Sequence, residues 1–214
     1  TDSAVSSLED TAVSAALATL EYGSATSVQY ALWKDGEIIL SGSSGVYSKS
    51  EDRALTDDIL YGIGSVSKIY TTVAVLQLAQ QGDVSLDVPV TRYLPQFRMA
   101  DPRYRDITVR MLLNHSSGLM GSGLAGAILF DDADDSAVND LLETLSTQRL
   151  VADPGAYSVY CNDGFTLAQL IVEAVSGQDF MEYVRENILE PAGLESTFAP
   201  GDDFDADLLA KTYS

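Results

Sequence analysis

Hydrophobic spacing divides the chain into a helix, a hairpin and a long, mainly helical remainder. In residues 3–22, Val5, Leu8, Ala12, Ala15, Ala16 and Tyr22 outline one face of a predicted helix, and Gly23 ends it. β-Formers run from Ser27 to Trp33, Lys34-Asp35-Gly36-Glu37 reads as a turn, and Ile38 to Ser41 resumes as strand, extended by Gly42 to Val46. Two such runs around Asp-Gly predict a β-hairpin. Polar residues 48–58 form a loop that leads to Leu60-Tyr61-Gly62-Ile63-Gly64. After Gly64 the period becomes helical and holds to Gln81. Val66, Ile69, Val73, Leu76 and Gln80 recur at three- and four-residue intervals, and Ala74 and Leu78 widen the face expected to be buried.

Gly82 to Pro89 reads as a turn, and Val90 to Leu94 as a short helix with Pro89 near its start and Pro95 stopping it. Thr108 to Leu113 predicts another short helix capped by Thr108, ending in His115-Ser116-Ser117-Gly118-Leu119. Gly121, Gly123 and Gly126 make the next stretch pliable. Ser136 to Gln148 is helical through Val138, Leu141, Leu142 and Leu145. Pro154-Gly155 turns the chain ahead of Tyr157 to Asn162. Asp163 to Val175 is helical through Phe165, Leu167, Leu170, Ile171 and Val175, and Phe180 to Ile188 gives a last helix before Pro191 and Gly193. A hairpin followed by many helices is an α/β pattern with a large helical portion. Two strands alone make a marginal sheet. The expectation is therefore one partial domain over 1–214, the front of a larger one. Its N-terminal helix and first strands lie in 1–60, its mainly helical region in 61–200, and an acidic tail or the start of further structure in 201–214.

Composition narrows the function classes. The 214 residues are 46% hydrophobic, and no run of eighteen apolar residues offers a membrane span. Twelve basic against 32 acidic residues leave a net charge of −20, a field that disfavours nucleic acid and anionic membrane surfaces. Thr1-Asp2-Ser3 is no signal peptide, although a mature secreted form would have lost one. The single cysteine, Cys161, excludes an intrachain disulfide and reads as a small packing residue. The acidic runs at 131–135 and 202–205 lack the glycine-centred, glutamate-terminated pattern of a calcium loop and read as solvated loops. One histidine among scattered aspartates has no metal-ligand spacing, so no metal and no cofactor are expected.

Two clusters carry chemistry. Ser65 stands at the mouth of the predicted helix, with Lys68 one turn on and on the same side. A neutral lysine amine within reach of a serine hydroxyl can take its proton and make it a nucleophile. The alternative is a helix-capping serine beside a solvated lysine. Tyr160-Cys161-Asn162 joins a Pro-Gly turn to a helix. A phenol near an ammonium has a lowered pKa and can serve as acid and base, and an asparagine amide can hold a lysine and a substrate carbonyl together. Against this stands a half-buried tyrosine followed by a capping asparagine.

Taken together, these motifs resemble the penicillin-recognising serine enzymes, and most of all the branch with class C β-lactamases, D,D-carboxypeptidases, D-aminopeptidases and esterases. Ser65-Val66-Ser67-Lys68 is similar to the family's S-x-x-K and Tyr160-Cys161-Asn162 to its Y-x-N. Leu112 to Leu119 resembles the branch's L-L-x-H-T-S-G-L. Pro154-Gly155 and Asn187 to Leu194 match further landmarks, so the likeness covers most of residues 25–200. The resemblance implies a β-lactamase/transpeptidase-like fold, an antiparallel sheet with a large helical region. It implies a serine hydrolase that works through an acyl-enzyme on amide, peptide, β-lactam or ester carbonyls. Ser65 would be the nucleophile, Lys68 and Tyr160 would share the proton transfers, and Asn162 would position substrate and Lys68. His115 and Gly118 would be structural. The same fold could instead serve as a penicillin-binding sensor or a non-catalytic binding protein.

The family's third motif, K-T-G or H-x-G on a later strand, has no counterpart here. Lys211-Thr212-Tyr213 has tyrosine where glycine allows substrate approach, and it follows Tyr160 too closely. The expectation is that the C-terminal strands are absent from this chain, or that a second polypeptide supplies them, and that residues 1–214 alone are poorly active or aggregation-prone. A small-molecule or peptidoglycan-type peptide substrate and an extracellular or cell-envelope setting are expected, with the cytoplasm the alternative.

Overall fold

The computed structural model describes residues 2–51, 53–121, 136–199 and 202–211. It divides into two compact units, Thr1–Ile63 with Asp203–Ser214, and Gly64–Asp202.

In the first unit, helix α1 (Asp2–Tyr22) packs on a hairpin of β1 (Ser27–Lys34) and β2 (Glu37–Gly45). The strands are antiparallel, with Lys34 opposite Glu37 and a bulge between Leu32 and Trp33. Their two-residue turn takes positive φ at both Asp35 (53°) and Gly36 (92°), the mirror-image turn whose twist suits a hairpin. The expected face of α1 is only partly covered. Ala16 is buried and Ala12 half-buried, whereas Leu8, Ala15 and Tyr22 are exposed, because two strands are too narrow to cover a whole helical face. The side chain of Val5 lies outside the described residues. The unit is closed by the later segment. Leu60 forms a parallel bridge with Leu209, through Leu60 N–H to Leu208 O (2.8 Å) and Ala210 N–H to Leu60 O (2.8 Å).

The second unit is helical. A 3₁₀ turn, Gly64–Ser67, runs directly into α2 (Lys68–Gln81), which Gly82 ends in the left-handed conformation at φ 90°. The buried side of α2 keeps Ala74 and Leu78 of the face that the sequence picks out but not its main stripe. Thr71, Ala74, Val75 and Leu78 are buried, at the i, i+3, i+4, i+7 spacing of a helical face. Val66, Ile69 and Leu76 are 55%, 61% and 44% exposed. This helix is apolar on two sides, and period alone does not say which side meets the core.

The rest of the unit packs around α5 (Asn162–Ser176), which touches α2 and the short helices α3 (Val109–Leu113) and α6 (Phe180–Val184). Thr108 caps α3 as expected, its side chain accepting the Met111 N–H. Between α3 and α5 lies α4 (Ser136–Thr147), which buries Leu145 and half-buries Leu141 and Leu142. The side chain of Val138 and the acidic run at 131–135 fall outside what is described. Asn162 is the first residue of α5, and Cys161 is its N-cap, so the expected asparagine cap moves by one. The last predicted helix continues further than expected. After α6 come a π turn at Arg185–Leu189 and α7 (Glu190–Ala192), with Pro191 in the first turn of α7. Asp202 is not a free solvated acid. It pairs with Arg185 and accepts the Ala199 N–H at 2.7 Å. Among the described residues, no helix is long and apolar enough to cross a membrane.

Candidate active site

Three of the side chains singled out by the sequence meet in the second unit. Gly64, at φ 50°, opens the 3₁₀ turn that carries Ser65, and Lys68 follows three residues later as α2 begins. That spacing sets both side chains on one side of the turn. Lys68 Nζ donates to Ser65 Oγ at 3.1 Å, and the Ser65 and Tyr160 hydroxyls lie 2.5 Å apart. Ser65 is thus in contact with both a cation and a phenol.

Tyr160 is half exposed, with its ring beneath Lys68 Nζ, 4.9 Å from the ring centre. Hydrogen bonding to Lys68, and next to Ser65, lowers its pKa below the usual phenol value. The same ammonium lies 5.5 Å over the ring of Phe165, one turn into α5. Phe165 is a site residue that sequence reasoning placed only on a helix face. Its position three residues beyond Asn162, on the first turn of the helix that Y-x-N opens, is the signal that could have found it. Asn162 sits half-buried two residues after Tyr160. Cys161 between them is buried, which pushes its thiol pKa up and suits packing better than attack.

The segment bearing Tyr160 is held in place by the loop after α3. His115, at φ 61°, accepts the Val159 N–H on its carbonyl (2.8 Å) and the Cys161 N–H on Nδ1 (3.1 Å). Its ring also packs on those of Tyr160 and Phe165, with centres 4.7 and 5.1 Å apart. An Nδ1 that accepts a hydrogen bond belongs to a neutral imidazole with its proton on Nε2. Burial, and then the Lys68 charge, lower the His115 pKa in keeping with that. His115 makes no contact of a general base with Ser65; its bonds run to backbone.

Gly118 is required by close approach. Its φ is 77°, and a Cβ there would lie 2.4 Å from the carbonyl oxygen of Ala152. The Val151 N–H reaches Gly118 O at 2.9 Å and the Gly155 N–H reaches Ser116 O at 2.7 Å. Residues 114–118 and 151–161 therefore form a bonded pair of loops, with Tyr160 presented at one end.

A profile of the family described as Beta-lactamase matches residues 13–214. Penicillin-binding protein 4* of Bacillus subtilis (strain 168) is 32% identical over 168 residues, 76% of this chain and 35% of that protein. Esterase EstB of Burkholderia gladioli is 32% identical over 173 residues, 75% of this chain and 44% of the esterase. The structure of EstCE1, a hydrolase with promiscuous acyltransferase activity, matches 98% of this chain and 57% of its own with a TM-score of 0.83. At 22% identity that is a likeness of fold. The chain spans less than half the length of the two curated relatives.

Proposed function

The chain belongs to the beta-lactamase family, and from that premise we propose that the complete protein is a serine hydrolase acylated on Ser65. The observation that carries the reading is the pair of hydrogen bonds on one hydroxyl, 2.5 Å to Tyr160 and 3.1 Å to Lys68. Ser65 Oγ attacks the substrate carbonyl carbon while its proton passes to the Tyr160–Lys68 pair. The tetrahedral intermediate collapses, and the pair returns that proton to the departing amine or alkoxide. Water then attacks the ester on Ser65, with Tyr160 drawing off its proton, and the acid leaves with Ser65 restored. Lys68 and Tyr160 both hydrogen-bond Ser65 Oγ, so the proton transfers are assigned to the pair. Asn162, at the start of α5, positions the substrate carbonyl and Lys68. The Ser65 amide supplies one oxyanion donor. The second comes from the part of the family's length that this chain does not span, in the same polypeptide or a second one.

The substrate is an amide, a D-amino-acid peptide as for a carboxypeptidase, a β-lactam or an ester. The relatives' names, a penicillin-binding protein and an esterase, support both ends of that range. Peptidoglycan-type peptides would place the work outside the cytoplasm, and the net charge of −20 suits an exposed, soluble surface there. Exposing the complete protein to benzylpenicillin and to a p-nitrophenyl ester, with intact-mass readout, tests the proposal. An adduct on Ser65 that turns over is the expected result, and Ser65→Ala should take up nothing. Near wild-type turnover by Ser65→Ala would sink the assignment. A penicillin adduct that persists would favour the sensor reading.

A further inference from the structure

The segment that ends in Tyr160 starts near Leu150, and its start is fastened by charged groups that take no part in the proposed chemistry. Asp101 precedes a 3₁₀ turn, Pro102–Asp106, and its side chain is 2% exposed. Four donors converge on its carboxylate. The Arg103 N–H reaches Oδ1 at 3.1 Å, Arg103 Nε reaches Oδ1 at 3.0 Å, Arg103 Nη2 reaches Oδ2 at 2.7 Å, and the Leu150 N–H reaches Oδ2 at 3.3 Å. The same guanidinium reaches outward, with Nη1 to Asp153 Oδ1 at 2.6 Å and Nη2 to Leu150 O at 3.3 Å. Arg103 therefore grips residues 150 and 153, immediately before the Pro154-Gly155 turn.

A planar fork fixes direction as well as distance, which a lysine or an apolar contact does not. Stability alone is a poor reason for this arrangement. Well-packed apolar groups often stabilise as well as a buried ion pair, and the Asp153 arm, 77% exposed, adds little. Position is a better reason. The Ser65–Tyr160 contact is 2.5 Å, and misplacing a reacting group by about 1 Å can cost on the order of 100-fold in rate. We propose that Asp101, Arg103 and Asp153 form a positioning clamp that sets where Tyr160 stands against Ser65 and Lys68, and so sets the rate of acylation. The inference rests on the reading of Ser65 as the acylated residue and Tyr160 as its proton-transfer partner. The groups facing Tyr160 are Ser65 and Lys68 from the turn and start of α2, His115 from the loop after α3, and Phe165 from α5 by way of the shared lysine and histidine.

The test is single-turnover acylation by p-nitrophenyl acetate across pH in the complete protein, for wild type, Asp153→Asn and Arg103→Lys, with thermal unfolding of each. Asp153→Asn should keep its melting temperature within about 2 °C, as loss of an exposed pair does. It should nevertheless slow acylation by roughly fivefold or more. The ascending limb of its pH profile should move to higher pH, because a displaced Tyr160 loses the hydrogen bonds that hold its pKa down. Arg103→Lys, which keeps the charge without the fork, should show the same limb shift and a larger rate loss. Wild-type rates and an unmoved limb in both variants overturn the clamp alone. So does a rate loss that follows melting temperature with the limb in place. A wild-type protein that takes up no acyl group overturns both this inference and the reading beneath it.

Discussion

Removing a single oxygen from Tyr160 puts the proposed chemistry to its most direct test. Tyr160→Phe deletes the hydroxyl 2.5 Å from Ser65 Oγ while leaving the ring against His115 and beneath Lys68. The side chain is 51% exposed, so the change orphans no buried polar group and stability should move by no more than about 0.5 kcal/mol. The rate should move far more. A positioned acid–base group contributes roughly 10²–10⁴-fold, or about 3–5 kcal/mol of barrier. Lys68 Nζ, which donates to Ser65 Oγ at 3.1 Å, is untouched by the substitution and still stabilises the developing alkoxide. The loss therefore belongs toward the lower end, about 10²–10³-fold.

The measurement is stopped-flow release of p-nitrophenol from an activated ester, under single-turnover conditions, in the complete protein, with Ser65→Ala as the blank. In wild type the lowered phenol pKa brings the basic form of Tyr160 into use below about pH 10. In Tyr160→Phe the pair has lost a member, so the ascending limb should change position as well as height. A variant that acylates within about threefold of wild type, with an unchanged limb, would refute the role of the phenol, because acid–base catalysis by that group predicts at least about a hundredfold loss.

Two further substitutions probe the loops behind the site. Gly118→Ala must take a φ near 77° and set its Cβ 2.4 Å from Ala152 O, so it should cost about 2–4 kcal/mol in urea unfolding; a loss under about 0.5 kcal/mol would show that the loops part easily. His115 is held neutral, with its pKa below the ordinary 6.5, so its contribution to stability is complete above about pH 6.5 and is lost as pH falls through the lowered folded value. Thermal unfolding of wild type should therefore fall more steeply between about pH 7 and pH 5 than that of His115→Gln, and parallel curves would count against the buried neutral imidazole.

The fold was legible where its signals are local. Asp35-Gly36 specifies a two-residue turn through backbone conformation, and that set the hairpin and its register. Thr108 announced α3 by a cap. Burial was less legible, because it depends on neighbours and not on period. Of the face read from the period through the turn and α2, Val66, Ile69 and Leu76 are exposed, whereas Ala74 and Leu78 are buried together with Thr71 and Val75. The turn at Pro102–Asp106 escaped notice because its organiser is a buried aspartate bonded to an arginine two residues on. That pattern has no periodicity.

The candidate site divides along the same line. Ser65 and Lys68 are three residues apart, so their meeting follows from the turn itself, and their bond at 3.1 Å needed no tertiary information. Tyr160 is 95 residues from Ser65, and only resemblance to a family suggested that the two belong together. The physical cause of their 2.5 Å contact lies in groups that no motif spacing reveals: backbone bonds from Val159 and Cys161 to His115, and a Gly118 with no room for a Cβ. These explain why the histidine of this loop has to be neutral. Its Nδ1 has to accept the Cys161 N–H, and a protonated ring would both lose that bond and set a second cation beside Lys68. Lys68 already draws the Tyr160 phenol toward its anion, and its charge is shared between the faces of Tyr160 and Phe165. In the proposed mechanism a single positive charge, one ionisable phenol and a serine between them would form a balanced set for one travelling proton. A second cation would hold the phenolate too tightly to let it act as base.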